Sequence, residues 1–143
     1  MDFNYFETTQ RAKKEYSRVL EPVCAQWNLT RNEVDILLFL FNNPGLDRAA
    51  DIVKCRGIAK SHVSLSVTTL EEKALLCRRE DPSDRRTIHL ALTCQGLAIA
   101  SEARIAQEQF FDALHAGVTP EELAIWQRII EKVNRNISKF EEK

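Results

Sequence analysis

The stretch from Ile58 to Leu92, IAKSHVSLSVTTLEEKALLCRREDPSDRRTIHLAL, decides the fold of this chain. Its pattern predicts a helix, then a strand, a charged turn and a second strand. Apolar residues in the first half recur at the spacing of one helical face, at Val63, Val67, Leu70 and Ala74. The opposite side carries mostly small polar residues. The two strands are predicted at residues 75–79 and 87–92.

The charged turn between these strands runs from Glu80 to Arg86 and contains Pro, Ser and Asp, which favour turns. Arg85 and Arg86 have no apolar packing role at its tip. They suit the minor groove of DNA, where negative potential is focused, and Asp84 is placed to hold one of them in position. The alternative is a surface salt bridge within the turn.

Charge is distributed unevenly, although the 143-residue chain has a net charge of only -1. Residues 48–92 hold nine Lys and Arg against six Asp and Glu, whereas the segments before and after are both acidic. A basic middle is typical of a surface that faces phosphate, and a solvated charged face is the alternative. The length favours one domain with its own hydrophobic core.

Several functional classes are excluded by what the sequence lacks. The four cysteines show no C-x-x-C pair and the three histidines no paired spacing, so we expect neither metal nor cofactor. No Gly-rich phosphate loop or nucleophile elbow indicates an enzyme. The start of the chain does not resemble a signal peptide, and Ile36 to Phe41 is too short an apolar run to cross a bilayer, which predicts a cytoplasmic protein.

The rest of the chain is predicted to be helical. The predicted helices cover Phe3 to about Gln26, Thr30 to about Asn42, Asp47 to Cys55, about 20 residues after Thr93, and a last helix after Thr119. Thr30 with Glu33 and Thr119 with Glu122 are capping boxes. Ala49, Ala50, Ile52 and Val53 are expected to pack inside, and Gly57 to supply a positive-φ corner between two helices.

The first and last helices carry more apolar surface than the small central core can cover. The last one shows Trp126, Ile129, Ile130, Val133, Ile137 and Phe140 at near-heptad spacing. We expect a homodimer, and mutual packing of the two ends within one chain is the alternative.

The most specific motif combines Leu70-Glu71-Glu72-Lys73-Ala74-Leu75-Leu76 with Asp81-Pro82-Ser83-Asp84-Arg85-Arg86 and Leu90-Ala91-Leu92-Thr93 before Gly96. In this order the chain resembles, over essentially its whole length, the MarR family of bacterial transcriptional regulators. The resemblance implies a mainly α (α+β) single domain over residues 1–143. Residues 30–92 would form a winged helix-turn-helix with a two-stranded wing, and residues 1–27 and 94–143 the dimerisation helices.

The resemblance also implies a homodimeric repressor that binds a palindromic promoter operator in double-stranded DNA and is released by a small ligand. The predicted DNA contacts are Lys54, Arg56, Lys60, Ser61, His62, Ser64, Leu65, Ser66, Thr69, Asp84, Arg85 and Arg86, with Lys73 as a further phosphate contact. The chain departs from the family pattern at Ala74, where Gly is usual, at Ala59, where Ser is common, and at Leu65, where many members carry Arg.

Regulation is less specified by the sequence. Tyr16, Trp27 and Phe39 are candidates to line a pocket for an apolar or phenolic effector, although such residues also form ordinary cores. Cys24 is the candidate for a redox-sensing alternative, against a buried structural thiol. From another class, the same basic hairpin would suit a winged-helix module that binds an acidic protein surface.

Overall fold

The computed structural model describes residues 4–142, which form six helices and one two-stranded antiparallel sheet. The elements are α1 (Tyr5–Trp27), α2 (Arg31–Asn42), α3 (Ala49–Arg56), α4 (Lys60–Glu72), β1 (Leu76–Glu80), β2 (Ile88–Leu92), α5 (Cys94–Leu114) and α6 (Pro120–Glu141). The predicted start of the first helix at Phe3 lies outside the described residues. The mainly helical winged fold expected from the sequence is confirmed.

The chain divides into two compact units, Met1–Phe110 and Phe111–Lys143. The first contains α1 to α4, the sheet and most of α5. The second contains the end of α5 and all of α6, whose face at Trp126, Ile129, Val133 and Ile137 is between 39% and 49% exposed.

The two predicted capping boxes are confirmed. Thr30 Oγ1 accepts a hydrogen bond from the Glu33 amide at 3.2 Å, and the Glu33 carboxylate accepts one from the Thr30 amide. Thr119 and Glu122 make the same reciprocal pair, with Pro120 at the first helical position. Each box satisfies amide donors that a helix start leaves unpaired, so the sequence fixes where α2 and α6 begin.

The core of the first unit is centred on α2. Its residues Ile36, Leu37 and Leu38 are fully buried, as predicted for a helix that is apolar on nearly every side. Around it lie α1, α4 and β2. The prediction that Ala49 and Ala50 pack inside is wrong, since both are exposed in the first turn of α3. The same prediction is confirmed for Ile52, which is buried, and Val53 is half-buried.

The prediction that Ala74 belongs to the apolar face of a helix is also wrong. α4 ends at Glu72, and Ala74 is exposed with a φ of 57°, in the left-handed region. The Leu75 amide donates to the Leu70 carbonyl at 2.9 Å, which closes the end of the helix. The turn therefore needs a positive φ, and a residue with a Cβ supplies it here.

A second close junction follows the sheet. Thr93 begins α5, since its Oγ1 accepts from the Gly96 amide at 3.1 Å and donates to the Ala74 carbonyl at 2.7 Å. A Cβ on Gly96 would lie 2.0 Å from the Leu75 carbonyl oxygen. Only glycine allows the first turn of α5 to approach the chain leaving α4 this closely.

Candidate nucleic-acid interface

α3 and α4 form a helix-turn-helix. Gly57 adopts the predicted positive φ, at 64°, and its amide donates to the Val53 carbonyl at the end of α3. The two helices pack through Ile52 on α3 and Val63 and Val67 on α4, all of them buried. Because the inner face of α4 is used by this packing, its opposite face is left to solvent.

The exposed face of α4 is small and polar, with one exception. Ser61, His62 and Ser64 are exposed, and Leu65 projects an apolar side chain that is 67% exposed. Ala59 is the N-cap residue of α4 and makes no side-chain hydrogen bond to the helix, whereas a serine at this position could cap it. This face offers hydroxyl and imidazole groups together with one methyl-bearing contact.

Two predicted members of that face lie elsewhere. Ser66 is only 8% exposed, so its prediction as a DNA contact is wrong. It falls between Val63 and Leu70 on the buried stripe, three residues after one and four before the other. Thr69 is half-buried, and its Oγ1 donates to the Leu65 carbonyl at 3.1 Å within the same helix.

Exposed cations surround the helix-turn-helix. Lys54, Arg56 and Lys60 are exposed, and no carboxylate among residues 4–142 lies within ion-pair distance of them. Lys73 is different. Its Nζ donates to the Asn28 carbonyl at 2.7 Å and lies 3.6 Å from Glu33 Oε1, so its charge already has a partner within the chain.

The wing is formed by β1, β2 and the turn between them, with Arg78 opposite Leu90 and Arg79 opposite His89. The prediction that Asp84 holds an arginine side chain in position is wrong. Its carboxylate accepts from the Arg86 amide at 3.0 Å and from Thr87 Oγ1 at 3.2 Å. Arg85 and Arg86 are exposed at the tip, and the described part of the chain places no carboxylate within ion-pair distance of either.

His89 is a further functional candidate that the sequence pattern does not indicate. Its Nδ1 lies 2.7 Å from Asp47 Oδ1, just before α3, and its Nε2 lies 2.8 Å from Asp81 Oδ2 in the wing turn. The hydrogen bonds to Asp47 and Asp81 raise the pKa of His89. Hydrogen bonds from His89 and Ser83 hold the pKa of Asp81 well below its usual range. Strand alternation places His89 on the face opposite Leu90, but it does not reveal the two carboxylates that the ring contacts.

A cavity of about 470 Å³ lies between α3, α4 and the sheet. Its walls are mainly apolar, and Lys54, Lys60, Ser64 and Arg78 supply polar groups. Arg78 also donates to Thr68 Oγ1 at 3.2 Å and lies 3.9 Å from Glu71.

The aromatic residues predicted to line an effector pocket are not equivalent. Phe39 is 2% exposed and belongs to the core. The Tyr16 hydroxyl accepts a hydrogen bond from Gln107 Nε2 at 2.8 Å, and Trp27 Nε1 donates one to Glu102 at 3.0 Å. Both aromatic residues are therefore hydrogen-bonded to α5. Arg31 stacks over the Tyr16 ring at 4.6 Å, and its buried Nη1 has no hydrogen-bond partner among the described residues.

Burial raises the pKa of the Cys24 thiol, which favours the protonated form and disfavours the reactive thiolate. Across residues 4–142, no three His, Cys, Asp or Glu side chains are grouped closely enough to hold a metal ion. None of the helices in this range combines the length and apolar character needed to cross a membrane.

Residues 27–87, from the end of α1 to the wing, match the sequence model of the MarR family. The matched segment contains the helix-turn-helix and the first strand and turn of the wing. A putative transcriptional regulatory protein for the hcr operon of Thauera aromatica is 36% identical over 81 residues, which are 54% of this chain and 48% of that relative. This match therefore spans about half of the relative's length.

Solved structures share the MarR-family fold. The structure of BpsR from Bordetella bronchiseptica, described with regulation of its DNA binding by 6-hydroxynicotinic acid, gives a TM-score of 0.69 at 24% identity and covers 92% of this chain and 98% of its own. NadR in complex with 4-hydroxyphenylacetate gives 0.74 at 20% identity, with 92% and 90% covered. At these identities the likeness concerns the fold.

Proposed function

We propose that this protein is a MarR-family, sequence-specific regulator of transcription that binds double-stranded DNA through α4 and the wing. One observation carries the proposal: the wing tip presents Arg85 and Arg86 in the exposed state, with the neighbouring carboxylate of Asp84 bonded to backbone and hydroxyl groups instead. Unpaired guanidinium groups on a projecting hairpin suit a narrow, negatively charged groove.

In this proposal α4 enters the major groove. Ser61, His62 and Ser64 offer hydrogen bonds to base edges or phosphate, and Leu65 offers apolar contact to a thymine methyl group. Lys54, Arg56 and Lys60 contact the phosphate backbone on either side. Because these cations are exposed and unpaired among the described residues, they bind phosphate without first breaking an internal ion pair.

The functional unit in this proposal is a homodimer formed by residues 1–27 and 94–143. The exposed stripe of α6 supports it, because four apolar side chains at heptad-like spacing stay between 39% and 49% exposed in one copy. Two-fold symmetry would present two α4 helices to two half-sites, so the operator would be an inverted repeat with half-sites about one helical turn apart.

A small aromatic carboxylic acid is the effector that the residues favour. Arg31 supports this because its buried Nη1 lacks a hydrogen-bond partner in the described chain, while its guanidinium already stacks on Tyr16. A carboxylate would satisfy that donor, and the aromatic side chains of Tyr16 and Trp27 would contact a ring. BpsR and NadR, which share the fold, are described with hydroxylated aromatic acids.

The regulatory sense that we propose is repression, with an effector releasing the protein from a promoter in the bacterial cytoplasm. The redox alternative through Cys24 has less support, since burial keeps its thiol protonated. The alternative from another class is a winged-helix module that binds an acidic protein surface. A DNA-binding regulator would enrich a palindromic sequence from a DNA pool, whereas a protein-interaction module would not.

The test is selection of bound duplexes from a random pool, followed by fluorescence anisotropy titrations at fixed salt. We expect enrichment of an inverted repeat. Arg86→Ala should then weaken binding by about 1–3 kcal/mol. Arg128→Ala, which removes the same charge from α6, is the matched control and should bind like the unmodified protein. Enrichment of no common sequence, or equal effects of both substitutions, would refute the proposal.

A further inference from the structure

The side chain of His89 connects the wing to the helix-turn-helix. It lies on β2 and contacts Asp47, two residues before α3, and Asp81, at the start of the wing turn. The two contacts span 42 and 8 residues of sequence. A single imidazole therefore joins two segments of the proposed DNA-binding surface that are distant in the chain.

Both contacts require hydrogen atoms on the ring. Carboxylate oxygens only accept hydrogen bonds, so N···O distances of 2.7 and 2.8 Å on the two ring nitrogens imply two N–H donors. Only the imidazolium carries both. A neutral ring would place one nitrogen lone pair against a carboxylate, and that contact would have to open.

The charges around the ring agree with this assignment. Charged groups on the neighbouring elements are Asp47 and Arg48 before α3, Asp51, Lys54 and Arg56 in α3, and Arg78, Arg79, Glu80, Asp81, Asp84, Arg85 and Arg86 on β1 and the wing turn. Among them, Asp47 and Asp81 are the acids that bond to the ring, and Arg79 is its cross-strand neighbour. Asp51 pairs with Arg48, and Asp84 bonds to the backbone of the turn.

The contacts of Asp81 explain what this link holds in place. Its Oδ1 accepts from the Ser83 amide at 2.8 Å, from Ser83 Oγ at 2.9 Å and from the Asp84 amide at 3.2 Å. The same carboxylate thus organises the turn that carries Arg85 and Arg86. Its other oxygen is the one bonded to His89, so a displacement of the ring is transmitted to the wing tip.

We propose that His89 is a positioning residue whose imidazolium form fixes the wing against the start of α3 and makes DNA binding stronger at low pH than at high pH. This inference rests on the proposed function. When the proton leaves, one carboxylate contact is lost, and the backbone bond from the Leu90 amide to the Asp47 carbonyl at 2.7 Å remains. The wing then keeps its register but loses the side-chain link that orients its tip.

The direction in pH follows from the raised pKa of His89. A group whose pKa is higher in the folded state contributes its full stabilisation below its ordinary value, near 6.5, and loses it as the pH rises through the folded value. Binding should therefore weaken above about pH 6.5. Asp81 stays ionised throughout this range, because its pKa is shifted downward.

The experiment measures Kd of the full-length protein for its selected duplex by anisotropy between pH 5.5 and 9 at constant ionic strength. We expect Kd to rise by about three- to tenfold across this range, corresponding to about 0.7–1.4 kcal/mol. His89→Gln and Asp47→Asn should each flatten most of that rise. Asp51→Asn is the control and should keep the rise, because Asp51 pairs with Arg48 and not with His89.

Imidazole NMR of the unmodified protein supplies an independent readout. The pKa of the His89 ring should lie above the ordinary value of a histidine side chain, and Asp47→Asn should lower it. Equal pH profiles for the unmodified protein and His89→Gln, a loss of affinity that is the same at every pH, or a neutral His89 ring at pH 6 would overturn the inference. Absence of DNA binding at every pH would instead overturn the proposed function, and this inference with it.

Discussion

Replacing Ala74 by glycine should stabilise the protein. Ala74 has a φ of 57°, a conformation that residues with a Cβ seldom adopt. Its neighbours hold it there: its amide donates to the Glu71 carbonyl at 3.0 Å, and its carbonyl accepts from Thr93 Oγ1 at 2.7 Å. The strain is thus imposed by the junction of α4, β1 and α5 and is relieved when the Cβ is removed.

The expected size follows from two opposing contributions. The left-handed conformation costs an L-residue about 1–2 kcal/mol, which glycine does not incur. Glycine has more freedom in the unfolded chain, and this costs about 0.5–1 kcal/mol. Ala74→Gly should therefore raise the free energy of unfolding by about 0.5–1 kcal/mol. The melting temperature should rise by about 2–4 °C for a chain of this size.

Urea titration followed by circular dichroism measures this difference, at one fixed protein concentration because an oligomer unfolds in a concentration-dependent way. Ala98→Gly is the matched control, since Ala98 is exposed in the helical interior of α5. It should lose about 0.5–1 kcal/mol. If both substitutions destabilise the protein equally, Ala74 is not strained and the assignment of the turn is refuted.

Three further substitutions test the other junctions and surfaces. Gly96→Ala should lower the free energy of unfolding by about 1–3 kcal/mol in the same urea titration, because the new Cβ would meet the Leu75 carbonyl at 2.0 Å; an unchanged midpoint would contradict this. Arg31→Gln should weaken binding of the proposed aromatic carboxylic acid effector by about tenfold in calorimetry, while Ser64→Ala, in the cavity beside α4, should not. Ile129→Glu should shift the mass measured by light scattering from dimer to monomer, and Glu131→Gln on the same helix should leave it unchanged.

The features that the sequence predicted best are those fixed by local chemistry. A capping box needs only a hydroxyl and a glutamate three residues apart, so Thr30 with Glu33 and Thr119 with Glu122 could be identified without any tertiary information. Gly57 is similar, since a helix end followed by glycine favours a positive φ. The two-stranded wing was also predicted, with strand bounds that differ by one residue.

Predictions of burial were wrong where a second element decides which face of a helix is covered. Ser66 is polar but is buried by its position between Val63 and Leu70. Ala49 is apolar but lies at the start of α3, where nothing covers it. For Lys73, the competing acid Glu33 is 40 residues away in sequence, so composition alone could not show that its charge is already engaged. The helical spacing of Ser66 from Val63 and Leu70 was enough to predict that it is buried.

The acidic residues of the wing explain how a basic tip remains unpaired. Asp81 and Asp84 direct their carboxylates to the amides of Ser83, Asp84 and Arg86 within the turn. Each bond satisfies a backbone donor and removes an acid as a partner for the nearby guanidinium groups. His89 neutralises part of the remaining negative charge at Asp81. The acids that lower the net charge of the wing thus shape the turn, and this arrangement leaves Arg85 and Arg86 available to phosphate.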